Sequence, residues 1–358
     1  MTQGKSANIS VSDLDRFCLD VLGRCGMSES DARTTADVLV TTDTFGVHTH
    51  GVKCLKGYVR RLLAGGLDAK ASPEVRSEGP SWAVVDGHSA IGMVTSVFAM
   101  NLAIEKARTT GMAYVGVQNS CHFGAAGYYA LLAAKAGMVG MAMANDIPSM
   151  AAPGSRKAVL GTNPFAYAVP AGRCDPIFLD IASSSVAGGK VYIAQALGQE
   201  IPDNWLVDAE GLPTTDPFQY PHASSLVPFA GHKGYGIAMM IETLSGILSG
   251  AAMTWGINNW IASEPSLATK HGAAFLAFNA DAIVPDGAFR DRVDQLIAEV
   301  HAAPTAKGVD RIYVPGEIEW QKRKKALAEG MALPDDVMAN HRSLAEQLEM
   351  SVDWLRIK

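Results

Sequence analysis

The hydrophobic period changes once along the chain, and that change limits the folds open to it. Over the first ~70 residues apolar side chains recur at three- and four-residue intervals, the mark of amphipathic helices. From about Ser81 they gather into short β-type runs separated by Gly- and Ala-rich stretches. A helical opening followed by interleaved strands and helices implies a mixed α/β domain joined to a helical part.

The helical opening has internal punctuation. Ser12 with Asp15 resembles a capping box ahead of Leu14, Phe17, Cys18, Val21 and Leu22, and Ser28 with Asp31 repeats it ahead of Ala32, Ala36 and Leu39. A third run, Val52, Leu55, Tyr58, Val59, Leu62 and Leu63, stops at Gly65-Gly66. Strands are expected at 82–86, 113–118, 138–144, 165–169, 178–181 and 274–278, and helices at 94–109, 125–136, 236–249 and 289–302. A charged helix at 320–329 follows, then an amphipathic segment with Leu344, Leu348, Val352 and Leu355. With no linker or repeat before it, this tail is expected to pack on the helical N-terminal part.

Composition removes several functions. At 358 residues the chain suggests two domains, and a net charge of −6 with mixed signs offers no basic stripe to nucleic acid. The N-terminal segment lacks the apolar region of a secretory signal. The most apolar stretch, from Gly234 to Met253, carries Glu242 and reads as a buried core helix, so no membrane partner is expected. Five scattered cysteines without a C-x-x-C pair suit a reduced, cytoplasmic setting and no structural zinc.

No G-x-G-x-x-G dinucleotide fingerprint and no phosphate-loop motif is present. Two other segments could hold a nucleotide. Gly231-His-Lys-Gly-Tyr-Gly236 leads into a helix whose free N–H groups, with the Lys233 ammonium, would suit a pyrophosphate. Asp180-Ile-Ala-Ser-Ser-Ser-Val186 follows an apolar strand and offers three hydroxyls. Packing glycines and strand-ending serines would read the same way.

Two histidine sites invite acid/base chemistry, since imidazole titrates near neutrality. His48-Thr-His50 sits at a Gly-bounded break between helices, and His122 follows a strand in Ser120-Cys-His-Phe-Gly-Ala-Ala-Gly127. Each could also be a hydrogen-bonded packing residue, the commoner role of a lone histidine. The pair His48 and His50 also raises a metal-dependent hydrolase, but no H-x-x-x-H or Cys/His partner set accompanies it, so no metal is expected.

Taken together, these motifs resemble the malate/L-lactate dehydrogenase family, which includes ureidoglycolate, diketogulonate and sulfolactate enzymes. The resemblance rests on Gly46-Val-His-Thr-His-Gly51, His122-Phe-Gly-Ala-Ala-Gly-Tyr128, Gly161-Thr-Asn-Pro164 and Asp180-Ile-Ala-Ser-Ser184. Thr214-Thr-Asp-Pro217, Lys233-Gly-Tyr-Gly236 and Pro315-Gly-Glu317 complete it in the family's order. It implies an α/β (α+β) fold: a non-Rossmann nicotinamide-binding domain with a mostly antiparallel sheet, spanning residues 76–317. A helical domain would be built from both chain ends, 1–75 with 318–358, and the protein would be a homodimer.

The resemblance also implies NAD as cofactor, with NADP possible, and hydride exchange with a small 2-hydroxy or 2-oxo acid, malate first. A cyclic imino acid or keto sugar acid is the alternative substrate. His50 and His122 correspond to the family's catalytic histidines. Cofactor contacts fall on Asp146, on Ile181, Ala182, Ser183, Ser184, Ser185 and Val186, on His232 and Lys233, and on Pro315, Gly316 and Glu317. Many members carry an arginine where this chain has Cys54, and a thiol cannot replace a bidentate fork. Thr49, Lys53, Lys56 or Arg60 are then the candidates for holding substrate.

Overall fold

The computed structural model describes residues 8–285 and 287–351. The chain opens with α1 (Val11–Arg24), α2 (Glu29–Thr44) and α3 (Leu55–Ala64). Ser28 caps α2 as expected, accepting from the Asp31 N–H at 3.1 Å, and α3 ends on Gly65 at φ 84°. The first cap is different: Ser10, not Ser12, accepts from the Asp13 N–H at 3.0 Å. The same Ser-x-x-Asp spacing occurs twice in this segment, and the helix takes the earlier copy.

Next come β1 (Glu74–Gly79), β2 (Trp82–Asp86), α4 (Gly92–Thr110), β3 (Met112–Ser120), α5 (Ala126–Lys135) and β4 (Val139–Ala144). The middle of the chain supplies β5 (Met150–Ala151), β6 (Ala158–Leu160), β7 (Phe165–Val169), β8 (Ile177–Ile181), α6 (Gly188–Leu197), β9 (Leu206–Val207), β10 (Pro213–Thr214) and β11 (Ser225–Leu226). The last part holds α7 (His232–Glu242), β12 (His271–Phe278), α8 (Ala280–Ile283), α9 (Ala288–Ala302), α10 (Glu317–Glu329) and α11 (Asp335–Gln347).

Among the described residues, seven strands form one sheet in the order β1-β2-β3-β12-β4-β7-β8. Every pairing in it is antiparallel except β2 with β3. A smaller sheet runs β10-β9-β11-β5-β6. Central strand β12 is buried along nearly its whole length, with α4 and α5 packed on the sheet. This is an α/β fold of mostly antiparallel sheets, without the parallel sheet of a doubly wound nucleotide-binding domain.

The apolar stretch 234–253 departs from the expected buried helix. It is α7 followed by a π-helical turn, Thr243–Ile247. Ser245 and Ser249 hydroxyls donate to carbonyls four residues back, at 2.6 and 2.5 Å, which competes with regular helical pairing. Met239, Met240, Ile247, Leu248 and Met253 are exposed. The segment's glycines and hydroxyl residues break the single apolar face that a core helix needs.

The described part of the C-terminal tail packs where the sequence led us to expect. Ile9 and Met331 exchange backbone hydrogen bonds at 2.9 Å, α10 packs on α2, and α11 on α3. Leu344 is buried and Leu348 packs against the core, whereas Val352 and Leu355 lie outside the described residues. One hydrophobic core runs from Leu14 and Phe17 through Tyr58, Met93, Val115 and Phe275 to Val337 and Leu344.

Candidate active site

The break between α2 and α3 folds around one buried carboxylate. Asp43, at the end of α2, accepts from His48 Nδ1 at 2.7 Å and from the Val52 N–H at 2.7 Å. Gly51 passes so close that a Cβ there would stand 2.2 Å from Asp43 Oδ2. His48 is thus tied into the scaffold. His50 faces the other way, with Nδ1 2.9 Å from the Thr49 hydroxyl.

The His50 and His122 rings stack with centroids 5.7 Å apart. His122 comes from the turn between β3 and α5, so the helical part and the sheet each contribute one imidazole. Tyr58 of α3 places its hydroxyl 2.7 Å from His122 Nδ1. Trp260 lies flat on the same imidazole, centroids 4.3 Å apart and planes inclined by 11°. Burial lowers the pKa of both histidines; at His122, with the charge of neighbouring His50 added, it falls to about 3. Both rings are therefore neutral at pH 7.

Asp146, just past the end of β4, supplies the counter-charge. It accepts from His271 Nε2 at 3.1 Å and from the Ile147 N–H at 2.8 Å. Burial would raise this carboxyl, but the hydrogen bond from His271 and the nearby imidazoles outweigh it and hold it below the usual range. Two neutral imidazoles, a phenol and an ionised carboxylate suit proton exchange with an oxygen of a small substrate.

The match to known proteins is of the same extent as the fold. The malate/L-lactate dehydrogenase family model matches residues 9–340. This chain belongs to that family. It is 36% identical to a malate dehydrogenase of Pyrococcus abyssi over 347 residues, 95% of this chain and 94% of that one. It is also 36% identical to an L-sulfolactate dehydrogenase of Methanothermobacter thermautotrophicus, covering 96% and 98%. Among solved structures, the malate dehydrogenase from Entamoeba histolytica matches with a TM-score of 0.92 at 30% identity, covering 98% of this chain and all (100%) of that one.

Within this malate/L-lactate dehydrogenase family member, the expected cofactor segments meet in two places. The Ser183 carbonyl accepts from the Phe229 N–H at 3.0 Å, so residues 181–186 lie against the start of α7 with His232 and Lys233. A cavity of about 390 Å³ is lined by Phe45, Ala125, Phe178, Asp180, Tyr313, Pro315 and Gly316. It joins the head of the 180–186 segment to the 315–316 turn. Asp180 there accepts from the Gly127 N–H at 2.7 Å, and burial lifts its carboxyl to about 6.

Several of these groups have protein partners. The Ser183, Ser184 and Ser185 hydroxyls donate to the carbonyls of Thr162, Val186 and Pro228 at 2.7, 2.8 and 3.2 Å. The first-turn N–H groups of Lys233, Gly234 and Tyr235 are not free as expected. They bond the carbonyls of Ala230, Phe229 and Gly231 at 3.4, 3.0 and 3.2 Å, because the turn before α7 folds back on itself. Lys233 keeps an exposed side chain. Glu317 accepts from His301, Arg311 and the Val314 N–H at 3.0, 2.8 and 3.0 Å.

The candidate substrate cations are also engaged. Lys53 pairs with Asp336 at 2.7 Å, Lys56 reaches Asn340 and Ser343 at 3.4 Å, and Arg60 donates to the Ile261 and Ser263 carbonyls at 3.2 Å. Thr49 remains beside His50, with its methyl 3.5 Å from where a Cβ on Gly189, at the start of α6, would stand. Sequence reasoning missed Tyr58, Trp260 and His271. Tyr58 was hidden in the apolar stripe of α3, and no spacing signal connects the other two to the site.

Proposed function

We propose that this protein is a nicotinamide-dependent oxidoreductase interconverting a small 2-hydroxy acid and its 2-oxo acid, with His122 exchanging the proton. The carrying observation is the pair of neutral imidazoles, His50 and His122, at 5.7 Å. In alcohol oxidation neutral His122 accepts the hydroxyl proton as C2 gives up its hydrogen with the bonding pair. In carbonyl reduction the ring returns that proton to the oxygen. The Tyr58 hydroxyl can accept from or donate to Nδ1, so it supports either tautomer while Nε2 carries the exchange. His50 and Thr49 line the opposite side and orient the oxygen.

The cofactor, when bound, supplies or takes up the hydride. The residues present suit such a group: the apolar walls of Phe45, Phe178 and Tyr313 fit a planar ring, and exposed Lys233 fits a phosphate. In this reading Asp146, residues 181–186, His232, Lys233 and 315–317 would hold NAD or NADP. The helices of both chain ends form one unit and residues 76–317 the cofactor-binding unit. The exposed apolar strip Met239, Met240, Ile247 and Leu248 supports a homodimer, which light scattering would test.

Malate and sulfolactate are the substrates in the names of the relatives above. The engagement of Lys53, Lys56 and Arg60, with Cys54 buried on the Thr49 carbonyl at 3.3 Å, favours a second reading in which no second acid group is clamped. A relative from Pseudomonas putida, 32% identical over 336 residues, is named as a Δ1-pyrroline-2-carboxylate/Δ1-piperideine-2-carboxylate reductase. The deciding experiment is oxidation of NADH and NADPH over oxaloacetate, sulfopyruvate, pyruvate and Δ1-piperideine-2-carboxylate. His122→Ala and His50→Ala are carried alongside. Loss of ~10²–10⁴-fold in kcat/KM at His122 is expected. Unchanged turnover in that variant removes the assignment.

A further inference from the structure

Residues 257–269, between the π-helical turn and β12, have little regular structure of their own, yet they are fastened to α3 along its length. Arg61, fully buried, donates to the carbonyls of Asn259, Trp260 and Leu267 at 2.8, 2.6 and 2.8 Å. Arg60 takes the carbonyls of Ile261 and Ser263. Two glycines of the α3 segment make room. A Cβ on Gly57 would stand 2.7 Å from Trp260 Cζ3, and one on Gly66 2.1 Å from the Pro265 carbonyl oxygen. Among the described residues no carboxylate pairs with Arg61, and a buried guanidinium spent on backbone carbonyls is an expensive way to fix a loop. What it fixes is the Trp260 ring.

That ring covers Tyr58 and His122 together. Its centroid is 5.2 Å from the Tyr58 ring at 19° and 4.3 Å from the His122 ring at 11°. Tyr58 holds one edge of the imidazole through Nδ1, which still permits rotation about that hydrogen bond. A plate against the face removes that freedom and excludes water from one side. We propose that Trp260 is a positioning residue for the His122 imidazole, and that Arg61 clamps residues 257–269 on α3 to hold it there. This rests on the assignment of proton exchange to His122. The groups that bear electrostatically on the ring are His50 from the segment before α3, Asp146 after β4 and His271 at the start of β12, with Tyr58 from α3. Trp260 acts through desolvation, not through charge.

The test uses the full-length protein and the variants Trp260→Ala and Trp260→Phe. NMR of histidine-labelled protein without ligand follows the titration of the His122 ring, assigned by its loss in His122→Ala. In the wild type the ring stays neutral down to pH 5. In Trp260→Ala the titration midpoint rises by at least one pH unit, and Trp260→Phe restores most of the difference. In turnover the loss of ring positioning outweighs the gain in proton affinity, so Trp260→Ala loses at least 10-fold in kcat with less than 3-fold change in KM, and Trp260→Phe recovers kcat. A His122 titration and a kcat both unmoved in folded Trp260→Ala overturn the proposal. So does a failure of Trp260→Phe to recover either. A wild-type protein inert with every 2-oxo acid overturns the proposed reaction instead, and the titration still decides whether Trp260 governs the ring.

Discussion

Tyr58 Oη stands 2.7 Å from Nδ1 of His122, joining the middle of α3 to the turn after β3. Tyr58 is fully buried and His122 half-buried, so a hydrogen bond lost between them is not replaced freely by water. Burial, with nearby Cys54, Cys121 and Tyr129, pushes the phenol well above its ordinary range, so it stays protonated and can serve either tautomer. Tyr58→Phe keeps the ring and its contact with Trp260 but leaves Nδ1 without that partner. We expect kcat to fall ~10-fold or more, with a stability loss of about 1 kcal/mol. Steady-state kinetics and thermal unfolding check the two parts, and unchanged kcat would remove Tyr58 from the proton path.

The low pKa of His122 sets a direction for pH dependence. A base must be unprotonated to work, and burial with the adjacent His50 lowers this ring to about 3. Alcohol oxidation should therefore keep its kcat/KM as pH falls from 8 to 5, with no acid limb near 6.5. Carbonyl reduction needs the protonated ring, so its kcat/KM should climb as pH is lowered over the same range. Initial rates in both directions across pH 5–8 are the check. An acid limb at pH 6–7 in the oxidation direction would contradict a neutral, desolvated His122.

Much of this architecture can be read in the sequence, and the unreadable parts share a cause. The change of period near Ser81 separates α1–α3 from the sheet, and His50 and His122 stand out because Gly-bounded breaks in pattern expose them. The small sheet escapes because β5, β9, β10 and β11 are two residues each, too short to carry a period. Tyr58 and Trp260 escape because their roles come from packing. Nothing at Trp260 indicates that a loop some 140 residues after His122 folds onto its ring, since that contact depends on Arg61 and on the space left by Gly57. Lys53 and Arg60 have partners within the protein that their spacing does not reveal. A cation's spacing says where it can reach, not which acceptor it finds first.

Gly51 gives a stringent check on how the site is held. A methyl there would fall 2.2 Å from Asp43 Oδ2 and 2.4 Å from its Cγ, and Asp43 cannot retreat without releasing His48 and the Val52 N–H. Gly51→Ala should cost about 1–3 kcal/mol and displace the neighbouring His50. Activity should drop more than 10-fold while far-ultraviolet circular dichroism stays native. A fully active Gly51→Ala would show that His50 is not held by this packing.

His341 offers a stability test remote from catalysis. It is fully buried in α11 against the Phe17 ring at 4.9 Å, with Nε2 3.5 Å from the Val52 carbonyl and, among the described residues, no partner for Nδ1. Burial lowers its pKa to about 4, against ~6.5 in an unfolded chain. Above pH 6.5 the ring is neutral in both states and contributes no pH dependence. Between 6.5 and 4 the unfolded chain binds the proton first, so the native state loses ground as pH falls. At pH 5 the loss is about 2 kcal/mol from this one group. His341→Leu keeps an apolar side chain against Phe17 and removes the titration. Its melting temperature should therefore fall less between pH 7.5 and pH 5 than that of the wild type, with little difference at pH 7.5. Equal falls in the two proteins would mean that the His341 ring is protonated as easily folded as unfolded, which a fully buried imidazole with one weak partner does not permit.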